Sequence, residues 1–221
     1  ILESSFDCSH VGDNQVTLFV KDVNGLTSSC TATVTVVDDM VPIARCNNIT
    51  VMLDQNGQTS IPSRMHQIDN GSSDNCGIQS RVLSKTNFDC SDIGGNPVII
   101  VVTDSVNQLT DTCQATITVQ DTVSPIALCK DVTVQLNNTG NASITAANVD
   151  NGSNDACGIQ TRTINPSSFT CSSIGVNSVT LTVTDFNGNS STCMANVTVQ
   201  DLIPPVAVCQ DVTVQLDASG S

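Results

Sequence analysis

The chain has 221 residues and a net charge of −14, with only seven Lys and Arg. That composition excludes the basic surface a nucleic-acid partner needs, and no apolar run approaches membrane-spanning length, so no membrane insertion is expected in this segment. An acidic surface of this kind favours solubility and recruits cations.

Taken in chain order, the sequence repeats itself. "SFDCSHVGDNQVTLFVKD" (Ser5 to Asp22) returns as "NFDCSDIGGNPVIIVVTD" (Asn87 to Asp104) and as "SFTCSSIGVNSVTLTVTD" (Ser168 to Asp185). "ATVTVVD" (Ala32 to Asp38) returns as "ATITVQD" and "ANVTVQD", and "DNGSSDNCGIQ" (Asp69 to Gln79) as "DNGSNDACGIQ" (Asp150 to Gln160). Cys8, Cys90 and Cys171 are spaced by 82 and 81 residues, and Cys30, Cys113 and Cys193 by 83 and 80. The expected organisation is a partial repeat over 1–38, complete repeats over 39–120 and 121–200, and the start of another over 201–221. The chain reads as a piece of a longer array.

Within each repeat, apolar and polar residues alternate with period two. In "SVTLTVTD", Val179, Leu181 and Val183 face one way and the threonines the other, as half-buried antiparallel strands do. Gly, Asn, Asp and Ser clusters such as "FNGN" (Phe186 to Asn189) mark the turns. No stretch has helical periodicity. The expected fold is all-β: tandem immunoglobulin-like β-sandwich repeats of about 80 residues with about seven short strands each, stapled by disulfides. Trp and Tyr are absent, and Phe6, Phe88 and Phe169 recur two residues before a cysteine, as a core plug.

Eleven cysteines at these spacings point to disulfides and an oxidising compartment. Zinc is disfavoured because no close CxxC pair exists; the shortest spacing is fourteen. One pairing keeps bonds inside a repeat: Cys46–Cys113, Cys76–Cys90, Cys129–Cys193 and Cys157–Cys171, with the partners of Cys8, Cys30 and Cys209 outside the chain. The other crosses the boundary: Cys30–Cys46, Cys113–Cys129 and Cys193–Cys209. Sandwich geometry favours the first, because a full strand separates Cys113 from Cys129 and carries the chain about 20 Å, beyond the roughly 7 Å between Cα atoms that a disulfide tolerates.

The acidic loops have two readings. Asp and Asn form turns and cap backbone groups. Alternatively, Asp121, Asp150, Asp155 and Asp185 converge where one repeat meets the preceding one, with Asp39, Asp69, Asp74 and Asp104 as the equivalent set, and hold Ca²⁺ at the inter-repeat junction. No cofactor is otherwise required. No EF-hand pattern is present.

"VTDFNGNSSTCMANVTVQD" followed by Pro205 and "VCQDVTVQL" resembles the hyalin repeat, an immunoglobulin-like extracellular module. The version with "DNGSxDxCGI" and "FxCSxIG" resembles the arrays of giant cell-surface adhesins of gliding Bacteroidota, those of flavobacterial gliding motility in particular. The resemblance covers the whole chain. It implies type IX export, a cell-surface location, anchoring to motility machinery through other regions, and O-glycans at Asp-Ser/Thr-aliphatic motifs such as Ser105 and Thr122. The second copy departs from the pattern: "DSVNQLTDTC" (Asp104 to Cys113) is one residue longer than "DFNGNSSTC" and lacks its Gly.

Catalysis is not expected, because His10 and His66 do not recur in register and no nucleophile elbow, phosphate loop or metal-ligand cluster appears. Two readings remain. In one, the chain is a stalk whose partners are its neighbouring repeats; in the other, each repeat binds glycan, with surface polysaccharide as partner. Scarce aromatics and a long array favour the stalk.

Overall fold

A computed structural model describes residues 5–61 and 65–221. The chain divides into two compact units, Ile1–Val123 and Ser124–Ser221.

The first unit opens with a 3-10 turn, Cys8–His10, and a hairpin of β1 (Gly12–Lys21) and β2 (Thr27–Val36), paired from Gly12↔Val36 to Lys21↔Thr27. A complete repeat follows: β3 (Ile49–Met52), β4 (Gln58–Ser60), the one-turn helix α1 (Met65–Ile68), β5 (Ile78–Leu83), β6 (Asn87–Asp89), β7 (Gly94–Asp104) and β8 (Thr110–Gln120). The main sheet has the order β3-β8-β7-β5, and β4 pairs with β6 separately. The first strand lies parallel to the last, Ile49 opposite Ile117, while every other pairing is antiparallel. Just before β3, the chain bridges at Ile43↔Ser73 and Cys46↔Asp69, so this one segment touches the acidic loop first and the main sheet afterwards.

The second unit repeats the plan with β9 (Val132–Gln135), β10 (Asn141–Ser143), α2 (Ala146–Val149), β11 (Ile159–Asn165), β12 (Ser168–Thr170), β13 (Gly175–Asp185) and β14 (Ser190–Gln200). Its sheet order is β11-β13-β14-β9, with β10 paired to β12. Among the described residues each complete repeat therefore has six strands, with a bridged segment where a seventh was expected. The one-turn helices are too short to leave a periodic trace in sequence. Residues 201–221 contribute no strand.

Alternation works as the pattern requires. In β13 and β14, Val179, Leu181, Val183, Ala195, Val197 and Val199 are buried and meet Leu136, Ile144, Val149 and Phe169 in one cluster. The first repeat buries the matching set, Val98, Ile100, Val102, Ala115, Ile117 and Val119, with Leu53, Ile61, Ile68 and Phe88. Phe88 and Phe169 are each 2% exposed, the core plugs in an interior without Trp or Tyr.

The "FxCSxIG" motif also has a local explanation. Its 3-10 turn recurs at Cys8–His10, Cys90–Asp92 and Cys171–Ser173. In the first two copies the aspartate before the cysteine caps it: Ser9 N–H donates to Asp7 Oδ1 at 2.9 Å and Ser91 N–H to Asp89 Oδ1 at 2.8 Å. The glycine that follows has φ near +110° (Gly12 109°, Gly94 110°, Gly175 109°), where a side chain would strain the backbone. Two residues on, Asn14, Asn96 and Asn177 donate Nδ2 back to carbonyls of the turn.

Cys46–Cys113 and Cys129–Cys193 are disulfide-bonded, each with Cα atoms 5.8 Å apart. They tie the segment ahead of the first strand to the last strand of the same repeat. The local staples Cys76–Cys90 and Cys157–Cys171 are not formed. Cys76 is bonded to Cys8, and Cys171 is a free, exposed thiol. Cys90 and Cys157 are also disulfide-bonded, but not to those partners. The reason is polarity along the strand. Cys76 precedes β5, whose six residues carry the chain about 20 Å to the other pole of the sandwich. There Cys90 begins its 3-10 turn, its sulfur 3.7 Å from the Gly57 carbonyl. Cys171 sits equivalently, 3.7 Å from the Gly140 carbonyl. Cys30 and Cys209 are free and exposed.

Candidate functional site

The residues singled out by repetition gather at the end of the first repeat where β5 starts (Ile78) and β7 ends (Asp104), positions paired in the sheet. Here the acidic loop spends most of its charge on its own backbone. Asp69 Oδ2 accepts from Arg81 Nε at 2.6 Å, and its Oδ1 accepts from Ser72 N–H at 3.0 Å. Burial would raise the Asp69 carboxyl, but the Ser72 hydroxyl and amide and the Arg81 charge outweigh it and hold the group below the usual carboxylate range. Buried Ser72 in turn accepts Arg45 N–H at 2.9 Å. The second repeat copies this: Asp150 pairs with Arg162 Nε at 3.0 Å, and Ser153 Oγ accepts Leu128 N–H at 2.9 Å. Against burial, Ser153, Arg162 and Lys130 keep Asp150 below its ordinary value. Arg81 and Arg162 were missed in sequence, although their 81-residue offset matches that of Asp69 and Asp150.

Asp104 and Asp185 are fully buried and organise the turn after the long strand. Asp185 Oδ1 accepts N–H from Asn187 (2.8 Å) and Asn189 (2.9 Å), and its Oδ2 accepts from Asn189 Nδ2 at 2.9 Å. Asp104 has the longer, glycine-less loop, which closes differently. Its Oδ1 accepts from Val106, Asn107 and Gln108 and its Oδ2 from Leu109, while Gln108 takes φ +61° where the other copy has Gly188. Burial opposes ionisation of Asp104, and those four amides overcome it, so its carboxyl titrates below the usual range. Asp22 does the same in the hairpin turn, accepting from Asn24 and Leu26 at 2.9 Å each.

Four of the eight expected calcium ligands, Asp69, Asp104, Asp150 and Asp185, are thus occupied by arginine, serine or backbone. Asp39 is exposed, and the residue equivalent to Asp121 is its neighbour Asp38. Asp38 is 5% exposed; its Oδ1 accepts from Asn75 Nδ2 at 3.1 Å and from Met40 N–H at 3.3 Å, and Asn107 Nδ2 donates to its carbonyl. Asp74 and Asp155 each accept the amide of the cysteine two residues on, at 2.9 and 2.8 Å. Asp121 is buried and accepts Val123 N–H at 3.0 Å. The one-residue error at Asp39 comes from "VVDDM", where two aspartates stand where the other copies have one.

Cys8–Cys76, with Cα atoms 5.3 Å apart, joins the hairpin of residues 12–36 to the acidic loop of the following repeat. Neither pairing read from sequence gave Cys8 a partner in the chain: the favoured one put it outside, and the boundary-crossing one left Cys8 alone. The bond runs instead from one copy to the next. The signal was available: its separation of 68 residues is close to the 67 and 64 of the other two bonds.

Of the remaining candidates, Ser105 is exposed and donates Oγ to the Cys76 carbonyl at 2.7 Å, and Thr122 is exposed. His66 is an exposed residue of α1, and His10 lies 2.7 Å from Asp7 Oδ1 within its 3-10 turn. Among the described residues no helix is long and apolar enough to cross a membrane.

No protein-family model and no curated protein matches the chain. Among solved structures it is similar to Protocadherin Gamma B7 extracellular cadherin domains 1–4 at 12% identity and TM-score 0.38, over 88% of this chain and 59% of that one. It is similar to Protocadherin gammaB7 EC3-6 at 18% identity and TM-score 0.36, over 98% and 64%. The I-band fragment I67–I69 from titin gives 12% identity and TM-score 0.38, over 85% and 75%. The chain thus spans about three fifths of the first protocadherin structure. Identities and scores this low leave the fold to be assigned from the sheet topology itself. By that topology, the chain is a tandem of immunoglobulin-like β-sandwich repeats.

Proposed function

We propose that the chain is a structural stalk segment of a large secreted adhesin, one that serves gliding motility or attachment at the cell surface. The observation that carries this reading is the Cys8–Cys76 bond. A disulfide from one repeat to the next resists separation of the two copies, a property of little use to a lone binding domain and of direct use to a module under tension. Eight bonded cysteines support an oxidising, extracellular setting. The resemblance to hyalin repeats and gliding adhesins supports the finer assignment. Asp69, Asp104, Asp150 and Asp185 support it too, because their oxygens are engaged by serine, arginine or backbone.

A glycan array probed with the oxidised 221-residue chain separates the stalk from a recognition module. The stalk predicts no saturable, selective binding to any polysaccharide. Selective binding that is lost on substituting exposed residues would overturn it.

A further inference from the structure

We propose that the junction in the first unit is a binding site for a hard divalent cation, Ca²⁺ by its chemistry, with Asp38 and Asp74 as anionic ligands. The proposal goes beyond the stalk reading and does not need it.

The first observation is an unsatisfied oxygen. Asp38 is 95% buried, yet its Oδ2 has no hydrogen-bond partner, while Oδ1 is held by Met40 N–H and the Asn75 amide. Asp74 repeats the pattern: Oδ1 accepts Cys76 N–H, and Oδ2 is buried without a partner. Buried polar groups are nearly always paired, and a buried anion needs a counter-charge. No described ion pair reaches either carboxylate; the nearby Arg81 is committed to Asp69.

The second observation is space. A cavity of about 230 Å³ adjoins Asp38 and is lined also by Asp7, Asp39, Asn75 and the Cys8–Cys76 pair. Asp74 is the chain neighbour of Asn75, whose side chain contacts Asp38. The bond between Cys8 and Cys76 and the Asn107 contact to the Asp38 carbonyl hold these groups together across the junction.

The donor chemistry selects the ion. Both sulfurs are consumed in the disulfide, so only oxygens remain, and carboxylate and amide oxygens with completing waters are the environment Ca²⁺ takes at six to eight coordination. Mg²⁺ demands a tighter octahedron and sheds water reluctantly, so it should bind less well. Asp54, exposed in the turn between β3 and β4 and outside the lining of this cavity, is the control.

The test uses the intact oxidised chain, stripped with chelator and titrated with CaCl₂ by calorimetry, with thermal unfolding in parallel. Saturable heat and a raised melting temperature are expected, with MgCl₂ giving a smaller effect. Asp38→Asn, and separately Asp74→Asn, should remove one site or weaken it at least tenfold, while Asp54→Asn leaves it unchanged. Mapping the Cys8–Cys76 bond in each variant shows that the junction is still assembled. No heat and no melting shift in the native chain, or native binding in a correctly bonded Asp38→Asn, overturns the proposal. Either result leaves the stalk reading standing as long as Cys8–Cys76 is present.

Discussion

Cys8, in the 3-10 turn ahead of β1, is bonded to Cys76, in the acidic loop ahead of β5, and this bond interleaves in sequence with Cys46–Cys113 of the following repeat. The order along the chain is 8, 46, 76, 113, so neither loop lies inside the other. Tension applied across this region finds two covalent shortcuts of nearly equal length.

That interleaving makes an unusual mechanical prediction. With attachment points at Ser5 and Gln120, the taut path between Cys8 and Cys113 is about 38 residues through either bond alone. With both bonds closed the path is the 30 residues from Cys46 to Cys76, so Cys8→Ser or Cys46→Ser should lengthen it by only about 8 residues, roughly 28 Å. Opening both lengthens the single-bond path to about 105 residues, a gain of about 67, which at about 3.5 Å each adds roughly 230 Å. Single-molecule extension with and without reductant reads this directly. A large gain from one substitution alone would contradict the interleaved pairing.

Asp185 organises its turn through three hydrogen bonds in a fully buried position. Asp185→Ala strands two backbone amides and should cost about 2–4 kcal/mol, since each unsatisfied buried donor carries about 1–3 kcal/mol. Asp185→Asn keeps the oxygen that receives those amides and should cost about half as much. Thermal unfolding of the oxidised chain would show the order Ala worse than Asn.

The two phenylalanines of the second repeat should behave in opposite ways. Phe169 is 2% exposed in the core cluster, and Phe169→Ala should destabilise by about 3–5 kcal/mol through the cavity it leaves. Phe186 is 65% exposed beside Gly158, and its replacement by Ala should stay within about 0.5 kcal/mol. Denaturant titrations of the two variants make the comparison; equal losses would contradict the assigned core.

Acid should unfold this protein through its loops. Asp69, Asp104 and Asp150 all titrate below their ordinary value when folded. Groups depressed in this way add stability above the unfolded carboxylate pKa of about 3.9. That stability is lost as pH falls through and below this value. Melting temperature should be flat from pH 5 to neutrality and drop steeply below about pH 4. Arg81→Met should move the Asp69 titration upward by NMR, and an unchanged Asp69 would show that the ion pair is not formed in solution.

Much of this architecture was legible because burial follows a period of two. The alternation in β13 named Val179, Leu181 and Val183 as one buried face, and the recurring Phe two residues before cysteine marked the plug at Phe88 and Phe169, though Phe6 is only half-buried. Contacts between residues far apart in sequence were harder to read. The parallel pairing of Ile49 with Ile117 depends on where the first strand crosses between layers, which periodicity does not encode. Cys76–Cys90 looked natural at a spacing of fourteen because sequence distance hides the pole-to-pole run of β5. The acidic loop looked like a ligand set because Asp is both a turn former and a cation ligand. Only the positions of Arg81, Ser72 and the loop amides show which carboxylates are already engaged.

The account rests on sulfur that crosses from one repeat to the next, and peptide mapping of the non-reduced chain by mass spectrometry tests this most directly. It predicts linked peptides Cys8–Cys76, Cys46–Cys113 and Cys129–Cys193, with Cys171 carrying a free thiol. Linked peptides joining Cys76 to Cys90, or free thiols at Cys8 and Cys76, would contradict it.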